Sequence, residues 1–148
     1  MPHKFADKHG NEYTIEMTLG STRFVRSKFN IDLLNEEDWT RLLGSLLDRV
    51  TYVWWLVKDQ ATEYGLDIDK FDAALMGEGL ADSVSDAFCE ELSVFYADLS
   101  QIKLQKLTQA FLSGTRVERQ KFATPEFEQL LQRTLSGVQS STQQVSSE

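Results

Sequence analysis

The stretch from Trp39 to Tyr64, WTRLLGSLLDRVTYVWWLVKDQATEY, constrains the fold more than any other feature of the sequence. Its apolar residues recur every three or four positions, a spacing typical of a core-facing helix. They are Trp39, Leu42, Leu43, Leu46, Leu47, Val50, Val53, Trp54, Val57 and Ala61. Tyr52, Trp55 and Leu56 add a second apolar surface, which must also be covered. The pattern predicts one long helix, 39–64, that lies at the centre of the fold or against a partner.

Residues 3–17 predict a β-hairpin. Two short extended segments flank a turn in which Gly10 can supply a positive φ. In the second segment Tyr13, Ile15 and Met17 alternate with polar residues, the period-two pattern of a half-buried strand. A lone two-stranded hairpin is only marginally stable in water, so this one must pack on the helices or pair with another chain.

Capping signals divide the rest of the chain into helices. Thr18 predicts the start of a helix over LGSTRFVRSKF, with Phe24, Val25 and Phe29 as candidate core residues, and Asn35 predicts the start of the long helix. A shorter helix follows Asp67 or Asp69. The apolar repeats of later helices lie at Val84, Phe88, Leu92, Phe95 and Leu99, then at Leu104, Leu107, Ala110 and Phe111, and after Thr124-Pro125 at Phe127, Leu130, Leu131 and Leu135.

These elements predict a mainly α fold in one domain, 1–135, followed by a flexible polar tail over 136–148. The hairpin should precede a bundle of five to seven helices around the long helix 39–64. We expect nine apolar residues to be buried: Leu43, Leu46, Val50, Val53, Trp54, Val57, Phe88, Leu92 and Phe95.

The charge distribution argues against nucleic acid and membrane partners. The net charge is −8, and residues 31–98 hold sixteen acids against four bases, between mildly basic flanks. This segregation fits either a solvated helical surface or head-to-tail self-association, and a homo-oligomer is expected. The N-terminus has no apolar run typical of a signal peptide, and the longest strictly apolar run, Val53–Val57, is too short to span a bilayer. We therefore expect an intracellular protein.

Catalytic, metal and nucleotide motifs are not evident in the sequence, so we expect no enzyme activity and no cofactor. The acids between Asp67 and Glu78 have the length of a calcium loop, but Asp72 stands where the loop needs glycine, so helix capping explains them better. Cys89 has no histidine or lysine nearby in sequence to activate it as a nucleophile.

Several loose motifs, taken in order, resemble those of the tail assembly chaperones of bacteriophages and prophages. They cover roughly the first two thirds of the chain: a hairpin, a connector, a helix end, a short helix and an acidic helix. The matching residues are Phe5, Asp7 and Gly10; Asp32, Leu33 and Leu34; Gln60 and Gly65; Asp69, Phe71, Leu75 and Gly77; and Phe88, Leu92, Phe95 and Tyr96.

The resemblance implies a non-catalytic protein of the bacterial cytoplasm that binds the tape measure protein while the tail tube polymerises. The alternative is a structural or adaptor component that stays in the phage particle. Apolar residues on the hairpin and on the second face of the long helix are the candidate contacts for a partner, and Tyr52 and Trp55 are the expected anchors because large aromatics dominate interface energetics. The full candidate set is Tyr13, Ile15, Tyr52 and Trp55. It is also open whether the hairpin and short helices simply cover these side chains.

Overall fold

The computed structural model describes residues 3–114, which form a β-hairpin followed by six helices. The mainly α class with an N-terminal hairpin is therefore confirmed. The strands are β1 (His3–Ala6) and β2 (Glu12–Ile15), and the helices are α1 (Leu19–Phe29), α2 (Glu36–Leu43), α3 (Leu46–Glu63), α4 (Ile68–Ala74), α5 (Leu80–Asp98) and α6 (Ile102–Ser113). The predicted helix after Thr124 and the predicted tail over 136–148 lie outside the described residues.

The hairpin is antiparallel, with His3 opposite Ile15 and Ala6 opposite Glu12. Its turn is built on Asp7, whose carboxylate accepts hydrogen bonds from the backbone amides of His9 (2.9 Å) and Asn11 (3.1 Å). The Tyr13 hydroxyl donates to the same carboxylate at 3.1 Å. Gly10 takes the predicted positive φ, +82°. The turn is therefore fixed by one buried side chain that satisfies several donors.

Helices α3 and α5 pack against each other at the centre of the fold. The hairpin contacts both of them, α6 packs on α5, and α1, α2 and α4 pack on α3. Their shared interior is one cluster of buried apolar side chains rich in aromatics, with Trp39, Tyr13, Tyr52, Tyr96, Phe71, Phe88 and Phe111 the largest. The hairpin gains the stability it lacks alone by packing on this helix pair.

The predicted single helix 39–64 is wrong, because the chain breaks between α2 and α3. Ser45 is extended (φ −137°, ψ 113°), and its side chain accepts a hydrogen bond from the Asp48 amide, which makes it the N-cap of a new helix. The buried guanidinium of Arg49 donates to the carbonyls of Leu42 (3.3 Å) and Leu43 (2.6 Å). Both are end carbonyls of α2, and the Leu42 carbonyl also accepts from the Ser45 amide at 3.4 Å, so Arg49 adds charged donors where the helical hydrogen bonding ends and stabilises the break.

The break also explains the one error among the nine apolar residues expected to be buried. Leu46 begins α3 and is 37% exposed, because the chain changes direction at Ser45 and no longer continues the apolar stripe of α2. The other eight residues expected in the core are buried: Leu43, Val50, Val53, Trp54, Val57, Phe88, Leu92 and Phe95.

Candidate interaction surface

Three of the four candidate partner-binding residues lie in the core, which corrects the expectation that they form a surface. Tyr13, Ile15 and Tyr52 are each fully buried. Tyr13 stacks on Phe5 with ring centroids 4.9 Å apart and meets Phe71 edge-on at 5.5 Å. The pleat turns Tyr13 and Ile15 toward the helices, so the buried face of β2 is used within the chain and cannot reach a partner in this conformation.

Tyr52 packs against Phe88 of α5, with ring centroids 5.2 Å apart. Burial raises the pKa of its phenol well above the ordinary value of 10, and the nearby Asp32 charge acts in the same direction. Its hydroxyl has no hydrogen-bond partner among the described residues. The second apolar face of α3 is thus covered at Tyr52 by α5.

Trp55 is the one candidate that reaches the surface. It is half-buried and meets the exposed ring of Phe24 on α1 edge-on, with centroids 6.4 Å apart. Lys58 lies over the Trp55 ring at 5.3 Å, and Lys28 lies over Phe24 at 5.9 Å. We call these four residues the aromatic patch. It combines flat apolar rings with ammonium groups that cation–π attraction holds beside them.

Phe24 was expected in the core but is 46% exposed, whereas Val25 is buried as expected. Val25 is the only buried residue of α1. A helix that buries so little is held at the periphery, and the composition of α1 carried a signal to this effect: it has three bases and no acid in a chain of net charge −8.

A second feature of α1 is a groove between this helix and the connector that follows it. Ile31, Leu33 and Phe95 are buried and form its floor, while Leu19 and Leu34, about half exposed, stand at its sides. Its volume is about 150 Å³. Thr22, Arg23, Arg26 and Asp32 complete the lining. We call this the α1 groove; it is an apolar depression with two guanidinium groups at its rim.

Away from these two surfaces, buried polar side chains of the described residues contact other parts of the fold. Buried Glu91 of α5 accepts hydrogen bonds from the His3 ring (2.8 Å) and the Met17 amide (3.4 Å), which fixes the open end of the hairpin. Cys89 is buried. Within residues 3–114, no group of three or more His, Cys, Asp or Glu side chains has the arrangement of a metal site. In the same range, every helix is too short or too polar to cross a bilayer.

In comparisons with known proteins, no family model matches the chain, and no curated protein or solved structure matches it either.

Proposed function

We propose that this protein is a non-catalytic tail assembly chaperone of a bacteriophage or prophage, which binds the tape measure protein during tail formation. The observation that carries the proposal is spatial: residues of the loose sequence pattern that resembles such chaperones meet one another across the fold. Their order along the chain alone is weak evidence. Contacts between the matching residues in the folded chain support the interpretation that they form one structural framework.

Gln60 of α3 pairs with the backbone of β2 through two hydrogen bonds. Its side-chain oxygen accepts from the Thr14 amide at 2.8 Å, and its side-chain nitrogen donates to the Thr14 carbonyl at 2.9 Å. The amide side chain therefore occupies the free edge of β2 in the way a neighbouring strand would. This residue of the pattern joins the predicted hairpin to the end of the helix.

Two further residues of the pattern join distant segments. Phe71 of α4 meets Phe5 of the hairpin edge-on, with ring centroids 6.4 Å apart. The Tyr96 hydroxyl of α5 donates to the Leu33 carbonyl in the connector at 2.5 Å. Both rings are fully buried. Because these contacts span long separations in sequence, they support reading the pattern as the signature of a shared fold.

The aromatic patch is the surface we assign to the client. The candidates Tyr13, Ile15 and Tyr52 are buried in the core and take no part in this surface, whereas Trp55 keeps its proposed role as an anchor. Aromatic residues at partly exposed positions supply much of the energy of interfaces, provided that neighbouring contacts exclude water. Lys28 and Lys58 give the patch a positive rim, which favours a client segment carrying carboxylates beside its apolar residues.

Co-expression with the proteins encoded by the neighbouring genes, followed by affinity capture, tests the proposal, which expects a tape measure protein among the captured proteins. Trp55→Ala should weaken capture by about 2 kcal/mol or more, with an unchanged helical spectrum. Leu47→Ala is the matched control, since Leu47 is 69% exposed on the same helix but outside the patch. Failure of the wild-type chain to capture the client would remove the chaperone proposal.

The second candidate function is a structural or adaptor component of the phage particle. The aromatic patch would also suit a permanent contact, so its surface chemistry does not separate the two functions. They differ in whether the protein remains in the mature particle. Mass spectrometry of purified particles separates them. A chaperone is absent from mature particles, whereas an adaptor is present in a fixed copy number.

A further inference from the structure

The α1 groove has a complementary surface elsewhere on the same chain. Met76, in the loop between α4 and α5, is the most exposed large apolar side chain of the described residues, at 76%. Acidic side chains surround it in sequence: residues 67–82 hold five acids and one base. Asp72 and Glu78, on either side of Met76, are both exposed. We call residues 72–78, which comprise the last turn of α4 and the start of the loop after it, the Met76 loop; it presents a flexible apolar side chain between carboxylates.

The groove offers the opposite charge and the matching apolar depression. Arg23 and Arg26 lie at its rim, and both side chains are exposed. Within residues 3–114 the Arg26 guanidinium forms one loose ion pair, with Asp32, in which nitrogen and oxygen lie 3.7 Å apart, and a solvent-exposed pair of this kind contributes little. Methionine adapts its shape readily to irregular apolar depressions. The two surfaces are therefore complementary in both apolar character and charge.

One copy of the chain cannot join these two surfaces to each other. The Met76 loop leads into the first turn of α5, whereas Phe95, which forms part of the groove floor, lies fifteen residues further along the same helix. At 1.5 Å per residue, this separates the two surfaces by about 22 Å along the α5 axis. The hairpin turn lies at the Met76 end, where the Lys8 amide donates to the Ala74 carbonyl at 2.9 Å. Contact between the surfaces therefore needs a second copy.

We propose that the Met76 loop of one copy docks in the α1 groove of another, with Met76 between Leu19 and Leu34 and the carboxylates of Asp72 and Glu78 facing Arg23 and Arg26. The contact joins two different surfaces, so each copy keeps one free groove and one free loop. Such a head-to-tail interface continues into a ring or an open filament. It does not depend on the client proposed above.

Sedimentation velocity of the full chain at high micromolar concentration tests the proposal. Wild-type protein should show a sedimentation coefficient that rises with concentration and falls with added salt, because the rim charges are screened. Met76→Ser should weaken association about tenfold or more. Leu47→Ser is the matched control, since it removes a similarly exposed apolar side chain away from both surfaces and should leave association unchanged.

Charge exchange gives the sharper result. The Arg23→Glu/Arg26→Glu chain and the Asp72→Arg/Glu78→Arg chain should each be monomeric, because groove and loop then carry the same charge. Mixing the two should restore assembly, since each loop meets an oppositely charged groove. Circular dichroism of both variants serves as the check that these exposed substitutions leave the fold intact. A strictly monomeric wild type, association that Met76→Ser leaves unchanged, or a mixture that stays monomeric would overturn the proposal.

Discussion

Helices α5 and α1 differ sharply in what they bury. Ten of the nineteen residues of α5 are buried, including the polar residues Ser85, Glu91 and Ser93. Of the eleven residues of α1, only Val25 is buried. Helix α5 organises the core, whereas α1 presents Leu19, Phe24 and three bases to solvent. We therefore expect substitutions in α5 to act on stability and substitutions in α1 to act on the proposed association.

The largest expected effect is the difference in lost stability between Phe88→Ala in α5 and Phe24→Ala in α1. Phe88 is fully buried against Tyr52, so Phe88→Ala should lower the free energy of unfolding by about 3–5 kcal/mol. The Phe24 ring is nearly half exposed, so Phe24→Ala should lower the free energy of unfolding by about 1 kcal/mol or less. Urea denaturation of both variants measures the difference. Equal losses would show that α1 is as much a part of the core as α5.

An intermediate effect is expected at Arg49, which links α3 to both α2 and α5. Its Nε donates to the Ser85 hydroxyl at 2.6 Å, and its guanidinium lies over the Phe111 ring at 4.9 Å. Arg49→Met keeps much of the side-chain volume but leaves the end carbonyls of α2 without this donor, a loss of about 2 kcal/mol. Thermal unfolding measures it. Lys58→Met, which removes an exposed charge on the same helix, is the control and should change stability little.

The smallest expected effect is a loss of stability at acid pH that arises from Asp7 in the hairpin turn. Burial raises the pKa of Asp7, but hydrogen bonds from the Asn11 side chain, the backbone amides of His9 and Asn11, and the Tyr13 hydroxyl outweigh it, so the pKa lies below its ordinary value of 3.8. A carboxyl with a lowered pKa stabilises the fold above its unfolded-state pKa, and this contribution is lost as the pH falls through the folded-state pKa.

Asp7→Asn should therefore flatten the fall in stability at acid pH. Unfolding free energies of wild type and variant, measured from neutral pH down to below pH 3.8, test this expectation. The gap between the two curves should narrow as Asp7 becomes protonated in the wild type. A gap that is constant over the whole range would show that the charge of Asp7 contributes nothing to the turn.

Local signals in the sequence predicted the elements well where a cap marks the boundary. Thr18 begins α1 through a reciprocal pair of hydrogen bonds with Ser21, and Asp67 begins α4 by accepting from the Lys70 amide. The break at Gly44–Ser45 had a similar signal, a serine three residues before Asp48. The unbroken apolar spacing across it concealed the break, because helical periodicity carries no information about a change of direction between two short helices.

The sequence did not reveal which aromatic side chains of α3 face solvent. Tyr52 and Trp55 both depart from the main apolar stripe, yet Tyr52 packs against Phe88 of α5 and is buried, whereas Trp55 meets the exposed ring of Phe24 on α1. That outcome depends on which neighbour packs on each face, and such tertiary contacts are not encoded in local spacing. The opposite charges of the α1 groove and the Met76 loop, in contrast, follow from composition, since α1 has three bases and no acid and residues 67–82 hold five acids and one base.

Hydrogen exchange of the chain, alone and with the tape measure protein, tests most directly whether α1 is the interaction surface and α5 the structural core. Amides in a core helix should be well protected in both states, whereas amides at the periphery exchange through local opening. We predict that client binding slows exchange in residues 19–29 and leaves residues 80–98 unchanged. Client binding that leaves residues 19–29 unprotected, with new protection elsewhere, would contradict this assignment.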